Sequence, residues 1–434
     1  MDKMADVLGR AGAWCGQNKY LSAIKNAFQN FMPLTIAGAI GVLWCNVLVN
    51  ESTGLGIFFK PIMALEFLNP AFQAVNFCTI SCITVGITLG IAQEIGVWNM
   101  GAEKAGYIPG LVGLAAWLSV TNTSHMVEGA KEAFTGIAGN ELGATGLFTG
   151  MIIGVLSVEL FCFFEKQDAL KIKMPEQVPP GVARAFEVLV PATITLIITA
   201  CIGSACYNLT GLYLNDVIKN GIQGPLGAVG ATIPGVMIIY LVIMLFWLVG
   251  IHGNNMLSAV KEALFTPLAL ENVEKFNKGE KPTNIINKYA LQMWGEFGGS
   301  GVTIGLVIAI MIFGKREDNK AIATLSLVPG LFNINETVTF GVPMVLNPIL
   351  GIPFVVAPLI TIIIGYVLTV IGFCPVACLT VPWTTPPIVF GFLATGANVM
   401  GAVTQAILIV VSTVIYVPFL IAYEKYQNKQ AAEA

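Results

Sequence analysis

Charged residues are scarce in this 434-residue sequence, in which Asp, Glu, Lys and Arg together make up 11%. Soluble globular proteins carry about 25%, so an ordinary soluble protein is excluded. The net charge is only −3 and no basic stretch is present, which argues against a nucleic-acid-binding protein. Hydrophobic residues make up 56% and form long runs, whereas a membrane β-barrel would show alternating segments of about ten residues. We therefore predict an all-α polytopic membrane protein.

Residues that bind metals or nucleotides are also few. The sequence has two histidines, and its nine cysteines form neither a CxxC pair nor a cluster with histidine. It lacks the glycine-rich P-loop, which ends in a lysine and holds nucleotide phosphates. We expect no metal site and no cofactor, and we expect the cysteines to be small packing residues rather than disulfides.

Ten apolar runs are candidate membrane segments, but several are shorter than the roughly 20 residues that a helix needs to cross a bilayer. We predict about 8–10 transmembrane helices, with the remaining segments forming re-entrant hairpins. Residues 8–15 and 21–28 place apolar side chains at helical spacing among basic ones, which is typical of interfacial amphipathic helices. The apolar runs are 31–49, 75–93, 107–120, 143–164, 186–207, 228–250, 290–313, 322–350, 352–374 and 386–423.

Clusters of Lys and Arg predict the orientation, since they mark the cytoplasmic side of a membrane protein. They precede the first apolar run and follow the last one, so we place both chain ends in the cytoplasm. Basic segments also flank the run 290–313, whose centre is broken by GGSG. A re-entrant hairpin that turns at Gly298–Gly301 would keep both flanks inside. The run 322–350 admits the same hairpin, with its turn near Asn333–Glu336.

A charged stretch with prolines at 165–185 divides the sequence. We predict an N-terminal membrane scaffold and dimerisation half at 1–185 and a C-terminal substrate-binding and transport half at 186–434. The second half contains most of the polar groups that lie in apolar surroundings. The sequence has no convincing internal repeat, so it does not predict inverted-repeat symmetry.

Glu336 is the most informative residue, because it is a carboxylate in the otherwise uncharged stretch LFNINETVTFGVPMVLNP at 331–348. An ionisable residue at bilayer depth is costly and usually faces a cavity, a partner or a substrate. Asn333 and Asn335 flank it, and glycine and prolines interrupt a simple helix. The alternative is a cytosolic loop between two spans.

A second polar segment, GIHGNN at 250–255, follows a long apolar run. Its glycines allow the backbone to approach a ligand closely, and the imidazole of His252 donates to or accepts from a hydroxyl. Asn254 and Asn255 add amide groups. The alternative is a solvated histidine at a helix end.

A third segment, PWTTPP at 382–387, joins two apolar runs and offers the flat face of Trp383 and the hydroxyl of Thr384. A tryptophan at a membrane boundary is most often a belt residue, which is the alternative to a ligand platform. The GGSG segment at 298–301 adds backbone hydrogen-bonding groups.

Together these groups are neutral donors and acceptors with one carboxylate, one histidine and one indole. An ion site would need several carboxylates, and an anion or peptide site would need buried Arg or Lys. An uncharged, polyhydroxylated solute fits best, because sugar hydroxyls match Asn, His and Glu, and sugar C–H faces match Trp. The candidate substrate-binding residues are Glu336, His252, Asn335, Asn333, Asn254, Asn255, Gly299, Ser300, Gly301, Trp383 and Thr384, of which Glu336 and His252 are also the candidate catalytic residues.

These segments resemble the membrane-spanning IIC permease of the bacterial phosphoenolpyruvate-dependent sugar phosphotransferase system, in its lactose/cellobiose/diacetylchitobiose branch. The resemblance covers essentially the whole chain. In one position the family pattern NINEP often has proline where this sequence has Thr337, which leaves Glu336 in place. The residues that carry the resemblance are GIHGNN at 250–255, GGSG at 298–301, FNINETVTFGVP at 332–343 with NP at 347–348, and PWTTPP at 382–387.

The resemblance implies a homodimer in the bacterial cell membrane, with the dimer interface in the N-terminal half and a disaccharide held by the C-terminal half. By position, Glu336 and His252 match the family's sugar-site carboxylate and histidine. It also implies that a phosphocysteine on a separate IIB protein, which works with IIA, phosphorylates the 6-hydroxyl of the sugar. This chain would then be the membrane component of a phosphotransferase whose donor residue lies on another protein.

Two alternatives remain beside this interpretation. In an ion-coupled secondary sugar transporter Glu336 would carry a proton, and the sugar would enter unmodified. A structural membrane scaffold would bind no sugar. The preferred disaccharide also stays open among diacetylchitobiose, cellobiose and lactose.

Overall fold

The computed structural model describes residues 10, 14, 17–51, 56, 59–125, 134–175, 177–342, 344 and 347–433. Within these ranges the regular structure is helical except for one small antiparallel sheet. In that sheet β1 (Ser124–His125) pairs with β2 (Phe134–Thr135).

The helices of the described chain are long apolar elements separated by short helices and irregular backbone. The α-helices are α1 (Lys19–Leu43), α2 (Asn69–Asn76), α3 (Ile83–Met100), α4 (Ala102–Ala105), α5 (Ile108–Val120), α6 (Gly139–Leu142), α7 (Leu147–Glu165), α8 (Pro180–Thr210), α9 (Leu214–Ile218), α10 (Gly224–Gly230), α11 (Ile233–Leu248), α12 (Gly253–Met256), α13 (Ser258–Asn277), α14 (Lys288–Gly295), α15 (Ile304–Phe313), α16 (Glu317–Leu331), α17 (Glu336–Gly341), α18 (Gly351–Val370), α19 (Val389–Ala394) and α20 (Val399–Glu433). Short 3₁₀ segments are Lys60–Leu68, Asp168–Leu170 and Ser300–Val302, and π segments are Trp44–Leu48, Phe77–Ser81 and Lys219–Gln223.

Five of the described helical segments are long and apolar enough to cross a membrane, and counting each of two bent helix pairs as one span raises the number to seven. The two shorter apolar helices α5 and α11 are also present. The predicted class, an all-α polytopic membrane protein with interrupted membrane segments, is confirmed. The predicted eight to ten spans are reached only if the shorter helices also cross. The five long segments are Lys19–Leu48, Leu147–Glu165, Pro180–Thr210, Gly351–Val370 and Val399–Gln430.

The amphipathic start of the chain is described only in part. Most of residues 8–15, predicted as an interfacial helix, lies outside the described residues. Residues 21–28, for which the same was predicted, belong to α1 and so to the candidate span Lys19–Leu48. The apolar spacing was recognised correctly, but the helix continues past Pro33 instead of ending before the first span.

The chain folds into two compact units. One contains Gln17–Gly38 and Val75–Gly227, and the other contains Ala39–Ala74 and Ala228–Ala434 together with the described part of Met1–Gly16. The predicted division at residue 185 falls inside α8. All of α8 belongs to the first unit.

In the first unit, small residues allow apolar helices to pack closely. A Cβ atom at Gly150 of α7 would lie 2.2 Å from the Thr88 hydroxyl of α3, and a Cβ at Gly96 of α3 would lie 2.2 Å from Pro109 of α5. Glycine is needed at both points, because association of membrane helices depends on such close packing.

In the second unit, buried side chains fix irregular backbone in place. The Gln405 carboxamide, which is 1% exposed, accepts hydrogen bonds from the N–H groups of Ile388 and Gly391 and donates one to the carbonyl of Met293. Irregular backbone survives at membrane depth only where protein or water satisfies its polar groups. These bonds hold the segment that follows PWTTPP against α14 and α20.

Candidate functional site

The second unit brings two of the predicted residues, His252 and Glu336, into one site. The imidazole Nε2 of His252 lies 3.8 Å from the carboxylate Oε1 of Glu336. The His252 side chain is 38% exposed and the Glu336 side chain 48% exposed, so both remain accessible to a ligand. The two residues that sequence reasoning ranked highest therefore face each other.

His252 is held by the start of a short helix. It is the N-cap of α12, and its Nδ1 accepts a hydrogen bond of 3.3 Å from the backbone N–H of Asn255. Its ring packs against Trp247, with ring centres 4.4 Å apart. Gly253 follows, where a Cβ atom would lie 2.0 Å from the carbonyl oxygen of Ile243.

These contacts define the protonation state of His252. Burial lowers the pKa of His252, and the Glu336 carboxylate raises it by a smaller amount, so the imidazole is neutral at pH 7. Because Nδ1 accepts from Asn255, the single proton lies on Nε2. The site thus presents an N–H donor at His252 opposite a carboxylate acceptor at Glu336.

Asn333 joins three segments of the site. Its Oδ1 accepts from the Gly298 N–H at 2.7 Å, and its Nδ2 donates to the carbonyls of Trp383 at 2.5 Å and Thr385 at 3.0 Å. Its backbone has φ +63°, a left-handed conformation that asparagine tolerates better than most residues. Both amide N–H groups are used in these bonds, which hold the three segments together, and direct contact between Asn333 and a ligand stays a prediction.

The GGSG segment is buried beneath its neighbours. Gly299 has φ +88°, and a Cβ atom there would lie 2.7 Å from the side chain of Asn335. Gly301 has φ +79° and would meet the ring of Phe354 at 2.4 Å. Asn335 donates to the carbonyl of Ser300 at 2.8 Å. The segment supports Asn335, and direct contact between a ligand and Gly299, Ser300 or Gly301 stays a prediction.

Asn333 binds the carbonyl of Trp383 and that of Thr385, and Thr384 lies between these two residues. The Trp383 side chain is exposed, and Thr384 is partly exposed. The backbone of PWTTPP is thereby tied to the loop that precedes Glu336. An exposed indole on backbone fixed in this way is suited to packing against a ligand face, which stays a prediction for both residues.

Sequence reasoning missed two partly buried ion pairs. Lys261 contacts Glu296, and their side chains are 16% and 15% exposed. Lys288 contacts Glu262 at 2.6 Å. A signal was present in the sequence, because KE at 261–262 and the lone Glu296 of MWGEF lie between apolar stretches. Two lysines therefore lie beside Asn254, and each is neutralised by a carboxylate.

One of these pairs is connected to the predicted residues. Lys261 donates to the Asn254 Oδ1 at 3.2 Å, and the Asn254 Nδ2 donates to the Ser300 Oγ at 2.9 Å. The Tyr240 hydroxyl, fully buried, donates to Glu296 at 2.6 Å. Asn254, predicted as a ligand, therefore also links α12 to the GGSG segment.

The break predicted at GGSG is present. Lys288–Val302 and Ile304–Phe313 are bent by 60° relative to each other, and the chain also leaves the helix between α16 and α17, next to Glu336. The predicted cytosolic position of both flanks of 290–313 stays a prediction. The broken backbone is what allows Ser300 and Asn335 to meet.

A comparison with protein-family models decides the family. Residues 25–358 match the model described as "Phosphotransferase system, EIIC". The chain belongs to the EIIC family of the phosphotransferase system. As an EIIC protein it is a membrane-embedded component of a sugar phosphotransferase, which works with IIB and IIA components on a sugar substrate.

Similar proteins agree with this assignment. The oligo-beta-mannoside-specific EIIC component of Bacillus subtilis (strain 168) is 33% identical, over 98% of this chain and 94% of that protein. The cellobiose-specific EIIC component of Lactococcus lactis subsp. lactis (strain IL1403) is 30% identical, over 98% of both. The solved structure of the transporter ChbC, the IIC component from the N,N'-diacetylchitobiose-specific phosphotransferase system, matches with a TM-score of 0.88 at 29% identity, over 97% of both chains. The resemblance to IIC permeases of this branch is confirmed, and no comparison supports the ion-coupled transporter.

Proposed function

We propose that this EIIC component binds a β-linked disaccharide between His252 and Glu336 and presents its 6-hydroxyl for phosphorylation by a separate EIIB protein. The relatives named above are specific for oligo-β-mannosides, cellobiose and diacetylchitobiose. They support a β-linked substrate and leave the preferred sugar open among diacetylchitobiose, cellobiose and lactose.

The observation that carries the proposal is the 3.8 Å gap between His252 Nε2 and Glu336 Oε1. This distance is too long for a direct hydrogen bond. A sugar hydroxyl both accepts and donates, so one hydroxyl bound there accepts from the imidazole N–H and donates to the carboxylate. An aliphatic group would satisfy neither side, and an ammonium group, which has only donors, would satisfy only the carboxylate.

The same arrangement suits phosphoryl transfer to the hydroxyl. The oxygen attacks the phosphorus of the EIIB phosphocysteine, the S–P bond breaks as the O–P bond forms, and the hydroxyl proton passes to the Glu336 carboxylate. A cysteine thiolate leaves with the S–P electron pair. Such reactions depend mainly on positioning and charge, and here His252 and Glu336 fix the direction of the attacking oxygen.

The remaining predicted residues complete the site. We assign Trp383 to the face of a sugar ring, with Thr384 beside it, and Asn254, Asn255 and Asn335 to hydrogen bonds with further hydroxyls. The two neutralised ion pairs at Lys261 and Lys288 leave no net positive charge among these groups. This balance favours an uncharged substrate.

We further propose a homodimer in the lipid bilayer, with dimerisation by the N-terminal half (1–185), the sugar site in the C-terminal half (186–434) and both termini in the cytoplasm. The candidate span Lys19–Leu48 supports this, because only 28% of its apolar window is covered within one copy of the chain. Lipid or a second copy must cover the rest. The Lys and Arg residues near both chain ends support the orientation.

The test is sugar phosphorylation by the purified protein in vesicles. We expect no sugar phosphate without EIIB, conversion to the 6-phosphate with phosphorylated EIIB, and binding without conversion for a 6-deoxy analogue. Sugar phosphate formed without EIIB would contradict the division of labour, and so would accumulation of unmodified sugar driven by an ion gradient.

A cysteine-free variant serves as the control. Since no cysteine of this chain is proposed to carry phosphate, the variant should phosphorylate sugar at the wild-type rate when EIIB is present. Loss of phosphorylation in a variant that still binds sugar would assign the donor to this chain.

A further inference from the structure

The Lys261–Glu296 pair lies next to the proposed sugar site without being part of it. Lys261 makes two polar contacts, one with the Glu296 carboxylate and one with the Oδ1 of Asn254. Glu296 is held in turn by the Tyr240 hydroxyl, whose ring also lies 5.5 Å below the Lys261 ammonium. The ammonium is thus fixed from two directions, and its contact with Asn254 is directed at one amide atom.

That contact determines how the Asn254 amide is oriented. An ammonium group has only donors, so the amide oxygen must face Lys261 and the amide N–H groups must face the other way. They point to Ser300, whose Oγ accepts from the Asn254 Nδ2 at 2.9 Å. If the amide flipped, its N–H groups would oppose the ammonium.

These hydrogen bonds continue through Ser300 to Asn335, the residue beside Glu336. Ser300 is 3% exposed, and its carbonyl accepts from the Asn335 Nδ2 at 2.8 Å. A single path of contacts therefore runs from Glu296 through Lys261, Asn254 and Ser300 to Asn335. It joins the helix that follows His252 to the turn that precedes Glu336.

We propose that Lys261, paired with Glu296, is a positioning residue for sugar binding: it fixes the Asn254 amide so that α12 and the GGSG segment stay docked beside Glu336. This inference rests on the proposed function, since it concerns the same site. Lys261 acts through Asn254 and need not touch the sugar.

The chain offers a closely matched control pair. Lys288 and Glu262 line the same cavity of about 60 Å³ as Lys261 and Asn254. Lys288 contacts Glu262, and Glu262 also contacts the hydroxyl of Thr266. Neither contacts Asn254 among the described hydrogen bonds, so this pair has the same chemistry without the proposed connection.

The experiment compares two double variants that remove a lysine and its carboxylate charge together, which avoids leaving one charge unpaired. In Lys261→Met/Glu296→Gln the new glutamine can still accept from Tyr240. In the control, Lys288→Met/Glu262→Gln, it can still accept from Thr266. Disaccharide affinity is measured by calorimetry on the full-length detergent-solubilised protein, and the melting temperature is measured in parallel.

We expect Lys261→Met/Glu296→Gln to lower disaccharide affinity by about tenfold and the control to change it less than twofold. In an Asn254→Ala background the first double variant should cause no further loss, because the two changes interrupt the same path. A merely structural role would lower the melting temperature and leave the affinity losses additive.

Wild-type affinity in Lys261→Met/Glu296→Gln would overturn the proposal, and so would a loss of equal size in the Asn254→Ala background. If that variant does not fold, Asn254→Asp is the second test. It keeps the acceptor for Lys261 and removes the N–H donors to Ser300, so wild-type affinity there would also overturn the proposal. Failure of the wild-type protein itself to bind any disaccharide would instead overturn the proposed function, and this inference with it.

Discussion

Replacing Asn333 tests whether the site is built by the three hydrogen bonds of one side chain. Asn333→Gly removes the bonds to Gly298, Trp383 and Thr385 and permits the φ of +63°. A hydrogen bond contributes about 0.5–1.5 kcal/mol. Without the three bonds, the ordered conformation of the loop around Asn333 should become less stable by about 2 kcal/mol or more. If the loop must be ordered to bind sugar, a shift of 2 kcal/mol lowers the apparent affinity by at most about 30-fold.

Asn333→Ala separates the two contributions of this residue. It loses the same bonds and in addition pays about 1 kcal/mol or more for a left-handed conformation. We therefore expect affinity and melting temperature to fall in the order wild type, Asn333→Gly, Asn333→Ala, measured by calorimetry and thermal unfolding in detergent. Wild-type affinity and melting temperature in Asn333→Gly would refute the positioning role.

Two further predictions concern topology and pH. Single cysteines at Lys281 and Lys315, both exposed, should react with an impermeant reagent only from the cytosolic side if 290–313 is re-entrant; reaction from outside at either position would make it a span. Because burial lowers the pKa of His252 in the folded protein, the unfolded chain takes up a proton first as the pH falls below about 6.5. The stability that His252 contributes is therefore complete above pH 6.5 and is lost below it, towards the lower folded pKa. Sugar affinity should be constant from pH 7 to 8 and fall in the same acidic range, and a pH titration of His252→Gln should lack this fall.

Much of the site could be predicted because its polar residues lie in otherwise apolar stretches of the sequence. Glu336 was recognisable as a carboxylate in an apolar stretch, and His252 as an imidazole between glycines after an apolar run. The breaks at GGSG and before Glu336 were predictable because glycine and proline interrupt helices locally. The structure brings the first two residues to 3.8 Å.

The positioning contacts could not be predicted from local pattern. Whether Asn333 binds a ligand or the backbone of Trp383 depends on a partner 50 residues away, and sequence spacing does not encode that distance. Lys261 and Glu296 looked like ordinary charges because their pairing joins α13 to the end of α14. Where the charged stretch at 165–185 ends and α8 begins is equally hard to read from the sequence, because the stretch runs directly into this long apolar helix.

The most direct test of the central claim is the disaccharide affinity of Glu336→Gln, which keeps the size of the side chain and removes its charge. Hydrogen bonds to charged groups contribute about 1.5–3 kcal/mol, so affinity should fall by about ten- to a hundredfold while the melting temperature is preserved. Glu317→Gln, at the exposed first turn of α16, is the matched control and should bind like wild type. Wild-type affinity in Glu336→Gln would contradict a sugar site between His252 and Glu336.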